Sequence, residues 1–308
     1  MRQSVVVIGN FDGVHRGHQA LLRRAGEVAQ QYADADGPLP VVAVTFWPHP
    51  MSVVAPDRQP KLLTDLPSRI ELLRCYGAHE VRVVPFNREV AAWRPDVFVD
   101  TIVTPLDPAV VVVGQNFRFG RGAGGDVDTL RQTGVGRFEV ESLSLVRMDD
   151  DRTSSTRIRG QLADGDVTAA ARELGRWFRL VGVVVVGDQR GRQLGFPTAN
   201  LPVASEMATP GDGVYAGWLT QLDEPGSSAL PAAISVGTNP TFDGVERRVE
   251  SYVLDRTDLE LYGTRIAVDF AARLRGQLRF DSVEELVDQM RLDVRRTREL
   301  LASAGVPQ

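Results

Sequence analysis

The chain has 308 residues, 43% of them hydrophobic and 24% charged, with a net charge of -5 and a single cysteine, Cys75. That length suits two domains better than one core. The acidic balance argues against general nucleic-acid binding, the lone cysteine excludes an internal disulfide or a multi-cysteine metal site, and no apolar run is long enough to span a bilayer. With no signal peptide discernible, the expected location is the cytoplasm, with no membrane and no nucleic-acid partner.

The first half alternates strand and helix signals. Strands are expected over residues 5–9, 41–46, 81–84, 109–114 and 138–140, with helices over 18–32, 68–76, 95–102 and 126–133. Short all-apolar runs such as Val110-Val111-Val112-Val113 predict a parallel sheet covered on both faces. Cys75 falls in an apolar helical pattern and is expected to be buried and inert. Two short helices, 155–162 and 167–174, precede a change of pattern near residue 178. After it come consecutive strand signals at 178–186, 213–221, 231–236, 247–254 and 264–270, a pattern that predicts a small antiparallel barrel. A final helix over 282–301 has Ser282 as N-cap and Glu285 three residues on, and its apolar stripe (Val283, Leu286, Val287, Met290, Val294, Leu301) is expected to pack on the core.

The densest chemistry lies at Gly9-Asn10-Phe11-Asp12-Gly13-Val14-His15-Arg16-Gly17-His18. A buried strand ends in a glycine-rich turn and a helix begins, so free backbone N–H groups and a helix dipole point at one spot. His15 and His18 can donate to a polyphosphate there. Further on, Arg152-Thr153-Ser154-Ser155-Thr156-Arg157-Ile158-Arg159 sets hydroxyls and arginines at a helix start. Taken alone it is an N-cap with solvated arginines as readily as a phosphate site. Asn116, in the loop after the fourth strand, reads as a turn residue or a ligand-binding one, and His49, flanked by prolines, as a loop histidine or a site residue.

In the second half, Gly187, Gly191 and Gly195 lead into Phe196-Pro197-Thr198-Ala199-Asn200. Glycines let backbone approach a phosphate, while a threonine hydroxyl and an asparagine amide are hard oxygen ligands for Mg²⁺. By composition alone the segment also suits a flexible strand connection. Glu250 lies mid-strand between Val249 and Tyr252, where a carboxylate facing solvent is the plain alternative to a catalytic base.

The His15-x-Gly17-His18 turn resembles the nucleotidylyltransferase signature, and the flanking Gly9-to-His15 run narrows the resemblance to the FMN adenylyltransferase half of bacterial bifunctional riboflavin kinase/FAD synthetases. The Gly195-Phe196-Pro197-Thr198-Ala199-Asn200 string resembles the riboflavin kinase signature, and the order of both halves matches that family. The resemblance implies an α/β protein. Residues 1–177 would form a Rossmann-like FMN adenylyltransferase domain on a parallel sheet, and residues 178–308 a small antiparallel riboflavin kinase-like β-barrel with a terminal helix.

It implies that riboflavin is phosphorylated by ATP to FMN and ADP, and that FMN and ATP give FAD and pyrophosphate, with Mg²⁺ as cofactor and flavin as substrate and product. Gly9, Phe11, Gly13, Gly17, Arg152, Ser155, Thr156 and Arg159 would bind ATP phosphates beside His15 and His18, with His49 and Asn116 at the FMN. In the kinase half Gly187, Gly191, Gly195, Pro197, Thr198 and Asn200 would hold ATP and Mg²⁺, the metal on Thr198 and Asn200. Tyr215, Asn239 and Arg275, with Asp281 near them, would face the flavin, and Glu250 would be the base. Trp47 departs from the family, which usually has an acidic residue there. The alternatives are an enzyme with one decayed half, or a non-catalytic flavin-binding regulator.

Overall fold

Five short strands open the fold: β1 (Ser4–Ile8), β2 (Val41–Trp47), β3 (Glu80–Pro85), β4 (Pro108–Gly114) and β5 (Glu139–Leu143). This computed structural model describes residues 3–307 except 145–146, 149–150, 188–190, 192–193, 225 and 242–243, and backbone alone at 147–148, 151–152, 239–241 and 244–246. The five strands are the expected ones, and they pair in parallel in the order β3-β2-β1-β4-β5.

Side chains alternate along a strand, so β1 feeds two cores. Val5 and Val7 join Leu22, Ala25, Val28 and Ala29 of α1 (Arg16–Gln31), while Val6 and Ile8 join Phe98, Val99, Val103 and Leu130 on the other face. That double burial explains why the central strands β1, β2 and β4 read as nearly unbroken apolar runs. The chain winds outward from β1 in one direction and from β4 in the other, so a crevice opens at the carboxyl ends of these two neighbours. The turns 9–18 and 114–120 leave from those ends.

Short helices α2 (Pro50–Val54), α3 (Leu66–Cys75), α4 (Arg88–Ala92), α5 (Pro95–Phe98) and α6 (Val127–Gly134) fill the connections. The helix expected over 95–102 is broken: α5 runs on as a π-helical turn, Val99–Val103. In α3 the fully buried row is Arg69 and Leu73, four residues apart. Cys75 lies off that row and is exposed, contrary to the expected buried thiol. A two-stranded ribbon, β6 (Arg147–Met148) with β7 (Asp151–Arg152), follows.

Next come α7 (Ser155–Ala163) and α8 (Val167–Leu174). Strands β8 (Phe178–Val183), β9 (Ala199–Val203), β10 (Gly213–Gln221), β11 (Leu230–Thr241), β12 (Gly244–Val253) and β13 (Arg265–Arg275) make an antiparallel sheet in the order β8-β13-β10-β11-β12-β9. A bridge between Val185, just past β8, and Asn200 on β9 nearly closes it into a barrel. Sequence patterning missed β9, which is short and carries Pro202.

The two compact units are residues 1–155 and 156–308, so the structural division falls before the expected 177/178 change-over. The cause is packing. Thr168 Oγ1 donates to Ala271 O of β13 at 3.2 Å, and Gly211 N donates to Leu162 O at 2.7 Å, so α7 and α8 belong with the barrel. The C-terminal helix, α9 (Val283–Ser303), starts at Ser282 as expected. Its expected stripe is only partly buried: Val283 is 56% exposed, and Leu286, Val287, Met290 and Val294 are half-buried. Asp293, Thr297 and Leu301 are the buried positions, because the helix is fastened by an ion pair through Asp293 as well as by apolar contact.

Candidate active sites

The turn after β1 is tightly determined. Phe11 (φ 52°) and Val14 (φ 38°) hold left-handed backbone that non-glycine residues rarely adopt, and both are fully buried. Gly13 (φ 82°) lies between them. A Cβ at Gly9 would stand 3.2 Å from the Phe11 ring, and one at Gly17 would stand 3.1 Å from the His15 ring. His15 is the N-cap of α1, and its ring stacks on that of His18 with centroids 3.7 Å apart. Phe11 meets His18 edge-on at 5.1 Å. The first turn of α1 holds no acidic residue, which suits an anion at the positive end of the helix.

The second signature reaches this turn. Ser155 Oγ donates to Asp12 O at 2.9 Å, across 143 residues of sequence. Thr156, exposed, and Arg159, half-buried, follow on α7. The Arg152 side chain lies outside the described residues. His49 caps α2, its Nδ1 accepting from Met51 N at 3.1 Å, so one ring nitrogen is committed to structure. Asn116 is exposed on the loop after β4, and its Oδ1 lies so near Gly114 that a Cβ there would stand 3.0 Å away.

In the barrel, strand register assembles the constellation. Glu250 on β12 is half-buried, opposite Asn200 on β9 and opposite Ser235 on β11. Cross-strand partners share a face, so carboxylate, amide and hydroxyl stand in one row. Asn200 is buried, and a Cβ at Gly187 would come within 2.4 Å of its Nδ2, a contact that only glycine avoids. Gly191 is similarly confined by Phe196 O, and Gly195 takes φ 85°. Pro197 and Thr198 are half-buried just before β9.

Of the other expected flavin contacts, Arg275 lies in register with the same row, through Val214, which stands opposite Ser235. Tyr215 is fully buried, its hydroxyl donating to Gly211 O, and burial raises its pKa above the ordinary value of 10.0. Arg275 is committed to Asp293 of α9, through Nε at 3.0 Å and Nη2 at 2.7 Å. The Asn239 side chain lies outside the described residues, and Asp281 is exposed.

Residues 1–157 match the FAD synthetase family and residues 174–301 the riboflavin kinase family. The bifunctional riboflavin kinase/FMN adenylyltransferase of Escherichia coli strain K12 is 37% identical over 297 residues, 96% of this chain and 92% of its own. The chain belongs to the bifunctional riboflavin kinase/FMN adenylyltransferase family. The family's member from Listeria monocytogenes is 35% identical over 97% of this chain and 92% of its own, and that from Pseudomonas fluorescens 37% identical over 99% and 95%. A solved structure from Streptococcus pneumoniae, described as a macrolide-efflux protein, superposes with a TM-score of 0.86 at 33% identity, covering 96% of this chain and 94% of its own. Among the described residues no helix is long and apolar enough to cross a membrane. Like its family, the chain is an enzyme with an FAD synthetase part and a riboflavin kinase part, both using ATP, which turns riboflavin into FMN and FMN into FAD.

Two neighbours of these sites take no role in the sequence reading. Ser235 joins Glu250 only through strand register. Arg69, lost in the apolar pattern of α3, is buried against the turn after β1. No local spacing announces either residue.

Proposed function

We propose that the turn 9–18, with Ser155, Thr156, Arg152 and Arg159, holds the ATP phosphates for adenylyl transfer, and that Glu250 is the base for riboflavin phosphorylation. The observation that carries this reading is the Ser155 Oγ–Asp12 O bond, which joins the two signature segments of the first reaction at one place. In that reaction an oxygen of the FMN phosphate attacks the α-phosphorus of ATP, the bond to the β-phosphate oxygen breaks, and pyrophosphate leaves. His15 and His18 stabilise the charge shifting onto the phosphates, and Gly9, Phe11, Gly13 and Gly17 shape the turn that carries them. His49 and Asn116 take part in holding the FMN.

In the second reaction Glu250 takes the proton of the terminal ribityl hydroxyl, that oxygen attacks the γ-phosphorus, and ADP leaves. Gly187, Gly191, Gly195 and Pro197 shape the ATP approach, and Tyr215, Asn239 and Arg275 serve the flavin side. The oxygen atoms of Thr198, Asn200 and Glu250 suit a hard divalent cation. Among the described residues no group of three or more His, Cys, Asp or Glu side chains gathers to hold a metal, so most ligands would be phosphate and water oxygens. Thr198 and Asn200 would hold Mg²⁺, which when bound would neutralise charge on the phosphates.

Adenylyl transfer is assigned to residues 1–177 and kinase chemistry to 178–308, both in the cytoplasm, where ATP is available. Incubation with riboflavin, ATP and Mg²⁺, followed by chromatography, is expected to give FMN, FAD, ADP and pyrophosphate, and excess chelator to stop FMN formation. Turnover unaffected by the chelator would remove Mg²⁺ from the reading. FMN without FAD would overturn the adenylyl-transfer assignment.

A further inference from the structure

Arg69 is fully buried, far along the sequence from the turn 9–18, and has no part in the chemistry above. Its Nη1 donates to Asn10 O at 3.1 Å and to Phe46 O at 3.3 Å. Its Nη2 donates to Thr64 O at 3.4 Å and stands 3.5 Å from Asp12 Oδ1. One face of the guanidinium lies 5.5 Å from the centroid of the Trp47 ring. Asp12, also buried, accepts from Leu63 N at 3.0 Å and from Thr64 N at 3.1 Å, and Thr64 Oγ1 in turn accepts from Gly13 N at 3.1 Å. Asn10 O takes a further bond from Thr45 Oγ1 at 3.0 Å.

These contacts bracket the strained residue. Phe11 has Asn10 tied to Arg69 on one side and Asp12 tied to Leu63, Thr64 and Arg69 on the other. Left-handed backbone at Phe11 and Val14 persists only where the surroundings over-determine it. The same Asp12 whose side chain is clamped offers its carbonyl to Ser155 Oγ. A planar, always-charged fork suits this clamp because it serves acceptors on several segments at once, which a lysine ammonium on a flexible stem does not.

We propose that Arg69, acting with Asp12 and Thr64, is the positioning residue of the adenylyl-transfer site: it sets the phosphate turn, and through the Asp12 carbonyl it sets Ser155. This rests on the reading that the turn 9–18 holds ATP phosphates. The test uses the full chain, in which the kinase reaction is an internal control. Arg69→Lys keeps the charge and loses the fork. Thr64→Val keeps the ion pair and removes both bonds of the hydroxyl, the one it accepts from Gly13 N and the one it donates to Asp12 Oδ1 at 3.3 Å.

For FAD formation from supplied FMN, Arg69→Lys is expected to raise KM for ATP severalfold and to lower kcat/KM by roughly 10- to 100-fold, the scale of a small misplacement of positioning groups. Thr64→Val should raise KM for ATP about threefold. In both, FMN formation from riboflavin and its KM for ATP should match the wild type. Loss of folded protein lowers kcat but leaves KM alone, so a lower kcat at unchanged KM for ATP would overturn the positioning role. Wild-type FAD kinetics in Arg69→Lys would do the same. Should Arg69→Lys not fold, Thr64→Val decides alone, and an unchanged KM for ATP in it overturns the proposal. His18→Ala keeps the two readings apart: if it leaves FAD formation intact, the phosphate-turn reading itself fails, whereas a His18→Ala defect beside wild-type Thr64 and Arg69 variants sinks this inference alone.

Discussion

In the first unit the histidine pair stands on a strand-to-helix turn, whereas in the second Glu250 stands mid-strand between Asn200 and Ser235. The turn gets its shape from strained backbone held by buried polar contacts: Phe11 and Val14 at positive φ, Asp12 clamped by Leu63, Thr64 and Arg69. The barrel row gets its shape from register, so ordinary extended backbone suffices at Glu250, Asn200 and Ser235, with Gly187 making room for the Asn200 amide. One solution spends conformational strain locally; the other relies on pairing that strands far apart in sequence already make. The first should therefore be sensitive to changes behind the turn, and the second to changes on the facing strands.

The sharpest way to break the contrast is Glu250→Gln. It keeps shape and hydrogen-bonding reach but cannot take the proton, and FMN formation is expected to fall by roughly 10²- to 10⁴-fold, the range of general acid–base catalysis. Supplied FMN should still become FAD. Wild-type FMN production by this variant would leave Glu250 a structural strand residue. Next in size is His18→Ala, expected to cut FAD formation by about 10²-fold, as when a donor to developing charge is lost. FMN formation should change little, and an equal loss in both reactions would mean that His18 supports the fold instead.

The same contrast sets what the sequence could reveal. A strand, a glycine turn and a helix are contiguous, so β1, the turn 9–18 and α1 are legible, as are the other parallel strands, above all β2 and β4 with their long apolar runs. The N-cap at Ser282 was legible too, since capping is local. Long-range polar contacts were not. Arg69 is a charged residue in a helical pattern, yet with Leu73 it is fully buried in α3. The stripe on α9 reads as core, yet of it only Leu301 is buried, while Asp293, paired with Arg275, takes a buried position and Val283 is exposed. The compact units divide at 155/156 and the sequence pattern changes near 178, because helical period does not tell which unit α7 and α8 pack on.

A smaller effect probes the barrel side. Gly187→Ala puts a methyl against the Asn200 amide, which is buried and has little room to turn. Displacing that amide beside Glu250 is expected to slow FMN formation about tenfold, on the general scale of misplaced positioning groups. FAD formation from supplied FMN should hold. If the variant instead matched the wild type in both reactions, the Gly187–Asn200 contact would have no part in shaping the kinase site.

The smallest expected effect concerns acid, and here the two units carry opposite signs. Asp126 caps α6 in the first unit, accepting from Thr129 N at 2.9 Å and Thr129 Oγ1 at 3.0 Å. Those bonds favour the carboxylate and lower its pKa below the ordinary 3.8, the backbone N–H of Thr129 first. Asp269 on β13 of the second unit is raised above 3.8 by burial, even though Arg179 holds it with two bonds at 2.8 and 2.9 Å. A lowered folded pKa means stability present above 3.8 and lost as pH falls through the folded value. A raised one means stability complete below 3.8 and lost as pH rises through the folded value. Titration of the carboxyl carbons by NMR should therefore place the Asp126 midpoint below 3.8 and the Asp269 midpoint above it. The melting difference between wild type and Asp126→Asn should shrink as the pH is brought below that value. The reverse order of midpoints would show that the Arg179 pairing outweighs burial at Asp269, and the two units would then weaken together in acid.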